Sequence, residues 1–334
     1  ETVRDIPLID LTDFENRRGE ITEQLWSAAT EVGFFQLVNH GLDVKLVQSA
    51  FDLSEAFFAL PNDEKARFPL KKGLNAGWEF MSQVRPSTRT ADQKESYQIT
   101  LPHMDDLWPN QTVVPEFHRI MLDFEYRAWR LGMDVLSCFA ERLGFARDFF
   151  TKAHDRSLSD YQSTLRLLHY LPMPEDDLDA SLWRAGAHTD FDCLTMVFQR
   201  EGQGGLQVSP GKDAEGAGDN REWSSVIPRD DIITCNIGDM LMRWSDDQLK
   251  STLHRRQIPA DLRGRLPAAA HSGELCRSQE VTRSGVRQTR PTCRVFCFWP
   301  GRAEFCLGCG VTRRCAGRAG AWPCRVESAA TPLA

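Results

Sequence analysis

The feature that most restricts the fold is a change in hydrophobic period near residue 163. Before it, apolar residues recur mostly at helical spacing. After it, short β-rich runs follow one another between Gly, Pro and Asp turns. The runs are STLRLLHYLP, CLTMVFQ, GGLQVS, WSSVIP and DIITCNIGD. Helices followed by a series of short strands predict an α+β fold whose strands form a sandwich or a barrel.

The first part of the chain predicts helices with a few strands between them. Strands are expected at IPLIDLTDF and GFFQLVNHG, and helices at ITEQLWSAATEV, at LDVKLVQSAFDLSEAFFALP and from Pro115 to near Gly144. Residues 71–100 mix Gly, Pro, Ser and Thr, and this mixture predicts an irregular flap.

Composition excludes several classes of protein. The 334 residues are 41% hydrophobic and 26% charged, as in ordinary globular domains. No apolar run approaches the roughly 20 residues of a membrane span, and the acidic start does not resemble a signal peptide, so a cytoplasmic protein is predicted. Residues 255–334 hold fourteen Arg and five acidic residues, yet the net charge of the chain is −7. The preceding part is therefore strongly acidic, and neither nucleic acid nor a membrane is an expected partner.

A candidate metal site begins in GAHTDFDCLTMVFQ. His188 and Asp190 are two residues apart, so on a strand both point the same way, although such a pair also fits a polar turn before a strand. His254 follows several predicted strands and is a candidate third ligand. Two His and one carboxylate leave three coordination positions open, as in non-haem Fe(II) oxygenases, whereas a structural zinc site takes four protein ligands.

The motifs around these residues resemble the iron(II)- and 2-oxoglutarate-dependent oxygenases of the isopenicillin N synthase-like family. The resemblance covers roughly residues 5–255. IPLIDLTDF, GFFQLVNHG and AFFALPNDEK match the N-terminal region of that family. RLLHYLP, HTDFDCLTMVFQ, GGLQV and NIGDMLMRWSDDQLKSTLHR match its oxygenase core in the same order.

The resemblance implies a double-stranded β-helix (jelly roll) core with flanking helices. It implies Fe(II) held by His188, Asp190 and His254, with 2-oxoglutarate and O2 as co-substrates and ascorbate as an accessory reductant. Oxidation of a small organic molecule is coupled to decarboxylation of 2-oxoglutarate to succinate. Hydroxylation, desaturation and ring closure all fit, a role in secondary metabolism is expected, and the oligomeric state stays open.

The resemblance also assigns candidate binding residues. Tyr170 is expected to touch 2-oxoglutarate, with a packed core aromatic as the alternative. Met81, Gln83 and Arg85 are candidate substrate contacts, although Arg85 also fits an ordinary surface position. Arg166, which shares a strand face with Tyr170, is expected to form a structural ion pair, with contact to an acidic ligand as the alternative.

Several other residues are expected to be structural. His40 is predicted to be a structural residue and Asp192 a bystander beside the site. Gly238 and Asp239 are predicted at a turn between strands. Arg243 and Trp244 are expected to support the site wall. Three cysteines in apolar contexts are predicted to be buried thiols: Cys138, Cys193 and Cys235.

The chain departs from the family pattern after the third metal ligand. The far carboxylate of 2-oxoglutarate needs a cation, which the family supplies as Arg-x-Ser on the next strand. No Arg-x-Ser and no strand pattern follow His254, and Lys, Asn, Asp, Ile, Tyr and Met are absent after Asp261. This composition leads to the hypothesis that the native reading frame ends near Arg255 or Ile258. Possible substitute cations are Arg255, Arg256, Arg263 and Arg265.

The expected domains are residues 1–105 as the N-terminal helical and strand region, 106–258 as the jelly-roll core and 259–334 as an atypical Arg- and Cys-rich tail. The tail also fits a disordered basic segment or a zinc module. The ligands of such a module are Cys306, Cys309, Cys315 and Cys324. Two alternative functions stay open at this point: an oxidase that does not use 2-oxoglutarate, and an inactive binding protein with a truncated barrel.

Overall fold

The computed structural model describes residues 5–84, 91–171, 185–209 and 223–256, together with the backbone of residues 292–297. These residues form six α-helices: Arg18–Glu31 (α1), Val44–Phe58 (α2), Asn62–Lys65 (α3), Phe117–Arg142 (α4), Phe149–Ala153 (α5) and Asp239–Trp244 (α6). They also form twelve strands: Leu8–Asp10 (β1), Phe34–Val38 (β2), Gly77–Phe80 (β3), Lys94–Ile99 (β4), Thr164–Tyr170 (β5), Ala185–His188 (β6), Leu194–Phe198 (β7), Leu206–Val208 (β8), Ser224–Ser225 (β9), Ile233–Ile237 (β10), His254–Arg256 (β11) and Thr292–Cys297 (β12).

The strands form two sheets that face each other. One sheet has the order β1-β2-β10-β7-β12-β5-β4-β3, and the other has the order β6-β11-β8-β9. The ring of Phe34 in the first sheet meets His254 of the second edge-on, with the ring centroids 5.5 Å apart. The guanidinium of Arg256 lies 4.6 Å from the ring centroid of Tyr170 on the opposite sheet. This arrangement confirms the predicted α+β jelly roll.

The helices cover the outer face of the larger sheet. Alternate residues of β5 and β7, such as Leu167 and Phe198, join the main hydrophobic cluster together with helix residues such as Phe124. The rings of Phe124 and Phe198 meet edge-on at 5.1 Å. Residues between these positions point into the space between the sheets, where the predicted site lies. None of the helices in the described residues is long and apolar enough to cross a membrane.

The three cysteines predicted to be buried thiols are buried and unbridged. Cys138, Cys193 and Cys235 are at most 1% exposed. Burial raises the pKa of Cys193 well above its ordinary value, and it raises the pKa of Cys235 as well. These thiols are therefore expected to be inert towards alkylating reagents in the folded protein.

Two predictions of local structure are wrong. Residues 71–100 contain β3 and β4, which pair with each other and with β5, rather than an irregular flap throughout. All six residues of β4 are buried although KESYQI is mostly polar, so burial by neighbouring elements overrides a weak strand pattern. The segment that begins at Asp239 is the short helix α6, not a turn, with Gly238 at its N-terminal cap.

The expectation that no strand follows the third ligand is also wrong. β12 lies between β5 and β7, with Thr292 opposite Leu168 and Arg294 opposite both Arg166 and Val197. Without β12, the facing edges of β5 and β7 would lack backbone hydrogen-bond partners. The need for a strand at this position is not visible in the sequence around residues 292–297. The remainder of residues 257–334 lies outside the described part of the chain. The reading-frame, zinc and domain-boundary hypotheses therefore stay predictions.

Candidate metal centre

The three predicted ligands converge. His188 is the last residue of β6, His254 is the first residue of β11, and the two are directly opposite each other in the antiparallel pair. Asp190 Oδ1 lies 3.6 Å from Nε2 of each histidine. Within the described part of the chain, one ligand atom from each residue lies within 4.8 Å of the other two. The three atoms therefore point towards one common position.

The outer nitrogen of each histidine faces a backbone carbonyl. His188 Nδ1 lies 2.7 Å from the Gly186 oxygen, and His254 Nδ1 lies 3.2 Å from the Thr252 oxygen. Because a carbonyl can only accept, Nδ1 carries the proton in both rings. The lone pairs of both Nε2 atoms are thus directed at the common position, which is the tautomer that a metal ligand requires.

Two side chains on neighbouring strands hold the carboxylate. Thr195 Oγ1 donates to Asp190 Oδ2 at 2.8 Å, and Asn236 Nδ2 donates to the same oxygen at 2.9 Å. Thr195 and Asn236 are opposite each other in the β7–β10 pair, so one register places both donors. Oδ2 is occupied by these bonds, and Oδ1 is presented to the histidines. Neither donor could be predicted from the sequence, because only strand pairing brings Thr195 and Asn236 to Asp190.

Asp192 lies beside the centre but supplies none of the three convergent atoms, as predicted. Its Oδ2 lies 2.9 Å from the Thr195 hydroxyl, and its side chain is buried. The backbone of Gly238 passes so close that an added Cβ would lie 2.1 Å from the Asp192 carbonyl oxygen. Position 238 therefore requires glycine because a side chain would clash with the Asp192 backbone, not because of an unusual φ.

We expect Gly238→Ala to lower the free energy of unfolding by about 1–3 kcal/mol, because the Asp192 backbone must move to admit the methyl group. Gly19→Ala is the matched control, since it lies near the start of α1 and no atom lies within 4 Å of its added Cβ. This control is expected to be neutral or to stabilise by up to about 1 kcal/mol. Urea denaturation of both variants measures the difference. Equal effects would contradict the steric argument.

The predicted co-substrate and substrate residues occupy different places. Tyr170 is 2% exposed at the end of β5 and faces the second sheet. Gln83 Nε2 donates to Glu79 Oε1 at 2.8 Å, and Arg166 Nη2 donates to the same oxygen at 2.5 Å. The ion-pair prediction for Arg166 is therefore confirmed. Met81 is half-buried with a φ of 46°.

Arg85, the third candidate substrate contact, lies outside the described residues. Among the described ones, Glu79 is the charged centre of a polar cluster. Burial tends to raise the pKa of Glu79, but Arg166 and the hydroxyls of Ser82 and Ser96 outweigh burial and lower it. Glu79 is therefore ionised at neutral pH and pairs with Arg166.

Arg243 and Trp244 do not support the site wall. Arg243 is largely exposed, and its Nη1 lies 3.7 Å from an Asp247 carboxylate oxygen. Trp244 stacks on Phe150, with the ring centroids 6.5 Å apart, on the helical side of the molecule. The prediction fails because α6 turns these residues away from the sheets. His40 Nδ1 accepts a hydrogen bond from the Leu42 amide at 3.2 Å, consistent with its structural assignment.

Two family models match the chain. Residues 6–115 match the N-terminal region of non-haem dioxygenases in morphine synthesis, and residues 161–268 match the 2OG-Fe(II) oxygenase superfamily. The proline hydroxylase buaE of Petromyces alliaceus is 31% identical over 277 residues, which cover 77% of this chain and 82% of that protein. The chain belongs to the 2-oxoglutarate- and iron(II)-dependent oxygenases. The 2-oxoglutarate-dependent dioxygenase traH of Penicillium crustosum is 30% identical over 75% of this chain and 79% of its own length.

Solved structures agree with this assignment. The oxygenase resembles a full-length Neurospora crassa protein solved in complex with alpha-KG, with a TM-score of 0.69, 25% identity, and coverage of 91% of this chain and 88% of that one. A putative 2OG-Fe(II) oxygenase from Caulobacter crescentus gives a TM-score of 0.67 at 25% identity, with coverage of 90% and 88%. The protein is therefore an enzyme that uses Fe(II) and 2-oxoglutarate to oxidise a small molecule.

Proposed function

We propose that His188, Asp190 and His254 hold the Fe(II) of this oxygenase. The observation that carries the proposal is the convergence of two Nε2 atoms and one carboxylate oxygen on a single position. Two neutral imidazoles and one carboxylate are the donor set that non-haem iron takes, and they leave coordination positions for 2-oxoglutarate and O2. The fit rests on the donor atoms, their tautomers and the hydrogen bonds that orient Asp190.

Iron bound there supplies the activation of O2 that is coupled to decarboxylation of 2-oxoglutarate. The residues of the chain position the parts and exclude water. The Gly186 and Thr252 carbonyls keep the proton on the outer nitrogen of each histidine. Thr195 and Asn236 keep one carboxylate oxygen of Asp190 aimed inward. His254 is 1% exposed and lies against Phe34, so this side of the centre is closed to solvent.

The substrate that we propose is a small polar molecule that includes hydrogen-bonding groups. The polar side chains of Ser96, Gln98, Arg166 and Glu79 form one hydrogen-bonded cluster on β3, β4 and β5. Gln83, a predicted substrate contact, reaches the same cluster. Relatives point in the same direction, since one is named a proline hydroxylase and the Neurospora protein is solved with 5-formyluracil or thymine.

The first experiment is an anaerobic titration of 2-oxoglutarate into the Fe(II)-loaded chain, followed by the visible charge-transfer absorption. A saturable band, together with succinate formation once O2 is admitted, is expected. Iron retention without a band would favour an oxidase that does not use 2-oxoglutarate, and failure to retain iron would favour a binding protein. A panel of polar and apolar small molecules then tests the substrate class, since a true substrate increases succinate formation. Stimulation by apolar compounds alone would contradict the proposed class.

We expect Thr195→Val to weaken Fe(II) binding by about 10- to 100-fold, because an outer hydrogen bond to the ligand carboxylate is lost while the ligand stays. Thr234→Val is the matched control. It makes the same change on β10, where Thr234 accepts from Gln36 Nε2 at 3.2 Å. Metal titration of both variants measures the effect. Equal Fe(II) affinities in the two variants would show that Thr195 does not position Asp190 for metal binding.

A role in secondary metabolism and a cytoplasmic location stay predictions. Fractionation of cells that express the full-length protein tests the location. Recovery from the secreted fraction would contradict it.

A further inference from the structure

The pocket for 2-oxoglutarate needs a cation that the expected motif does not supply. 2-Oxoglutarate is a dianion: with its keto acid end on the metal, its far carboxylate would need a cation near His188, Asp190 and His254. Arg-x-Ser does not occur after His254. We propose that Arg256, two residues after the third metal ligand on the same strand, binds the far carboxylate. This inference rests on the proposed function and specifies the co-substrate site.

The position of Arg256 along β11 matches that role. His254, Arg255 and Arg256 pair in continuous register with Val208, Gln207 and Leu206 of β8. His254 and Arg256 are each 1% exposed, whereas Arg255 between them is half-buried. His254 and Arg256 therefore point into the same interior, with backbone positions about 6.6 Å apart. A five-carbon chain held at the metal by one end extends over a comparable distance.

The surroundings of Arg256 orient its guanidinium. The group lies 4.6 Å from the ring centroid of Tyr170, the residue that the family resemblance links to 2-oxoglutarate. Its Nη2 donates to the backbone oxygens of Gln203 at 2.9 Å and Gly204 at 3.4 Å. Ala185 is the residue opposite Arg256 on β6, where the register shifts between His254 and Arg256. These contacts fix the plane of the Arg256 guanidinium, whose paired N–H groups can bind both oxygens of a carboxylate.

Burial also favours an anionic ligand at this point. Arg256 is the largest fully buried side chain among the described residues. An arginine is almost never fully buried without an interaction that offsets the loss of hydration. A carboxylate bound beside Arg256 adds a charge-assisted interaction to the stacking on Tyr170 and to the bonds with Gln203 and Gly204. A buried Arg256 also explains how a chain without Arg-x-Ser retains an acidic co-substrate.

The test compares two ligands that differ only at the far end. 2-Oxoglutarate and 2-oxopentanoate chelate iron through the same keto acid group, but the second carries a methyl group in place of the far carboxylate. Dissociation constants come from the charge-transfer band of the anaerobic Fe(II) protein. In Arg256→Met we expect 2-oxoglutarate to bind about 100-fold more weakly, as when one partner of a desolvated charge pair is removed. 2-Oxopentanoate is expected to change by less than about 3-fold, since it makes no ion pair.

Two further variants control the experiment. Arg255→Met removes a neighbouring arginine that lies over the Trp223 ring at 3.8 Å and donates to Gln207, and it is expected to leave both ligands unchanged. Arg256→Lys keeps the positive charge but loses the paired N–H groups of the guanidinium. It is expected to weaken binding of 2-oxoglutarate by about 10-fold. If Arg256→Met does not fold, as judged by circular dichroism and iron retention, Arg256→Lys decides the question.

Three outcomes would overturn the inference. The preference for 2-oxoglutarate over 2-oxopentanoate persists in Arg256→Met and Arg256→Lys. Alternatively, both ligands weaken equally in a variant that keeps its fold and its iron, which shows that Arg256 does not recognise the far carboxylate. Finally, Arg290→Met, which changes an arginine two residues before β12, removes the preference while Arg256→Met keeps it. Absence of any band in the unaltered protein would count against the use of 2-oxoglutarate itself, whereas each of these outcomes refutes the role of Arg256 alone.

Discussion

Asp190→Ala is expected to abolish Fe(II) binding at micromolar metal and to lower succinate formation by at least about 1,000-fold, because the metal would lose the anionic ligand that we propose for it. The loss is larger than that expected for Thr195→Val, since the ligand itself is removed. Asp190 is also the member of the set that lies 3.6 Å from both histidines. Two neutral imidazoles alone hold Fe(II) weakly.

Asp192→Asn is the matched control for Asp190→Ala. Asp192 is a buried carboxylate two residues away that contacts Thr195 but supplies none of the three convergent atoms. We expect this variant to retain iron and most succinate formation. Metal content after desalting and succinate release under air measure both variants. Retention of stoichiometric iron by Asp190→Ala would remove Asp190 from the proposed ligand set.

Glu95→Gln is expected to lower the free energy of unfolding by about 3–5 kcal/mol, since it leaves a buried cation without its anion. The Glu95 carboxylate lies 2.7 Å from Lys65 Nζ, 2.7 Å from Trp78 Nε1 and 2.8 Å from His169 Nδ1. The Lys65 and Glu95 side chains are 4% and 2% exposed. The substitution keeps the shape of Glu95 and removes only its charge, so a large loss identifies electrostatics as the cause.

Glu116→Gln is the matched control for Glu95→Gln. Glu116 pairs with Arg119 on the surface, where both side chains are more than half exposed. Its replacement is expected to change the free energy of unfolding by no more than about 0.5 kcal/mol. Urea denaturation at neutral pH measures both variants. Equal small losses would show that Lys65 finds other partners when Glu95 is neutral.

The effect of Glu95 is expected to depend on pH. Burial tends to raise the pKa of Glu95, but hydrogen bonds from His169, Lys65 and Trp78 outweigh it and hold the pKa below the ordinary value of 4.5. A carboxyl with a lowered pKa stabilises the fold above its unfolded pKa, and this contribution is lost as pH falls through the folded pKa. The difference between the native chain and Glu95→Gln is therefore expected to be constant down to about pH 5 and to shrink below it. A difference that grows on acidification would refute this account.

Some of the structure could be predicted from local pattern. Helical spacing ending at Gly33 predicts α1, and alternation in the runs after residue 163 predicts β5, β7 and β10. β4 was not predicted, because alternation in KESYQI is limited to Tyr97 and Ile99, and burial of its polar residues depends on neighbouring strands. β12 was not predicted for a related reason. It pairs with β5 on one side and β7 on the other, and both strands are distant from it in the chain.

The sequence by itself determined which chemical groups make up the proposed centre. His188 and Asp190 are ordered by their spacing of two residues, and the family motifs identify His254. Only the tertiary structure decided what surrounds them. Strand pairing sets His254 against His188, places Thr195 and Asn236 on the Asp190 carboxylate, and stacks Arg256 on Tyr170 across two sheets. The physical reason is that hydrogen-bond register and sheet packing, not neighbourhood in the chain, bring these groups within contact distance.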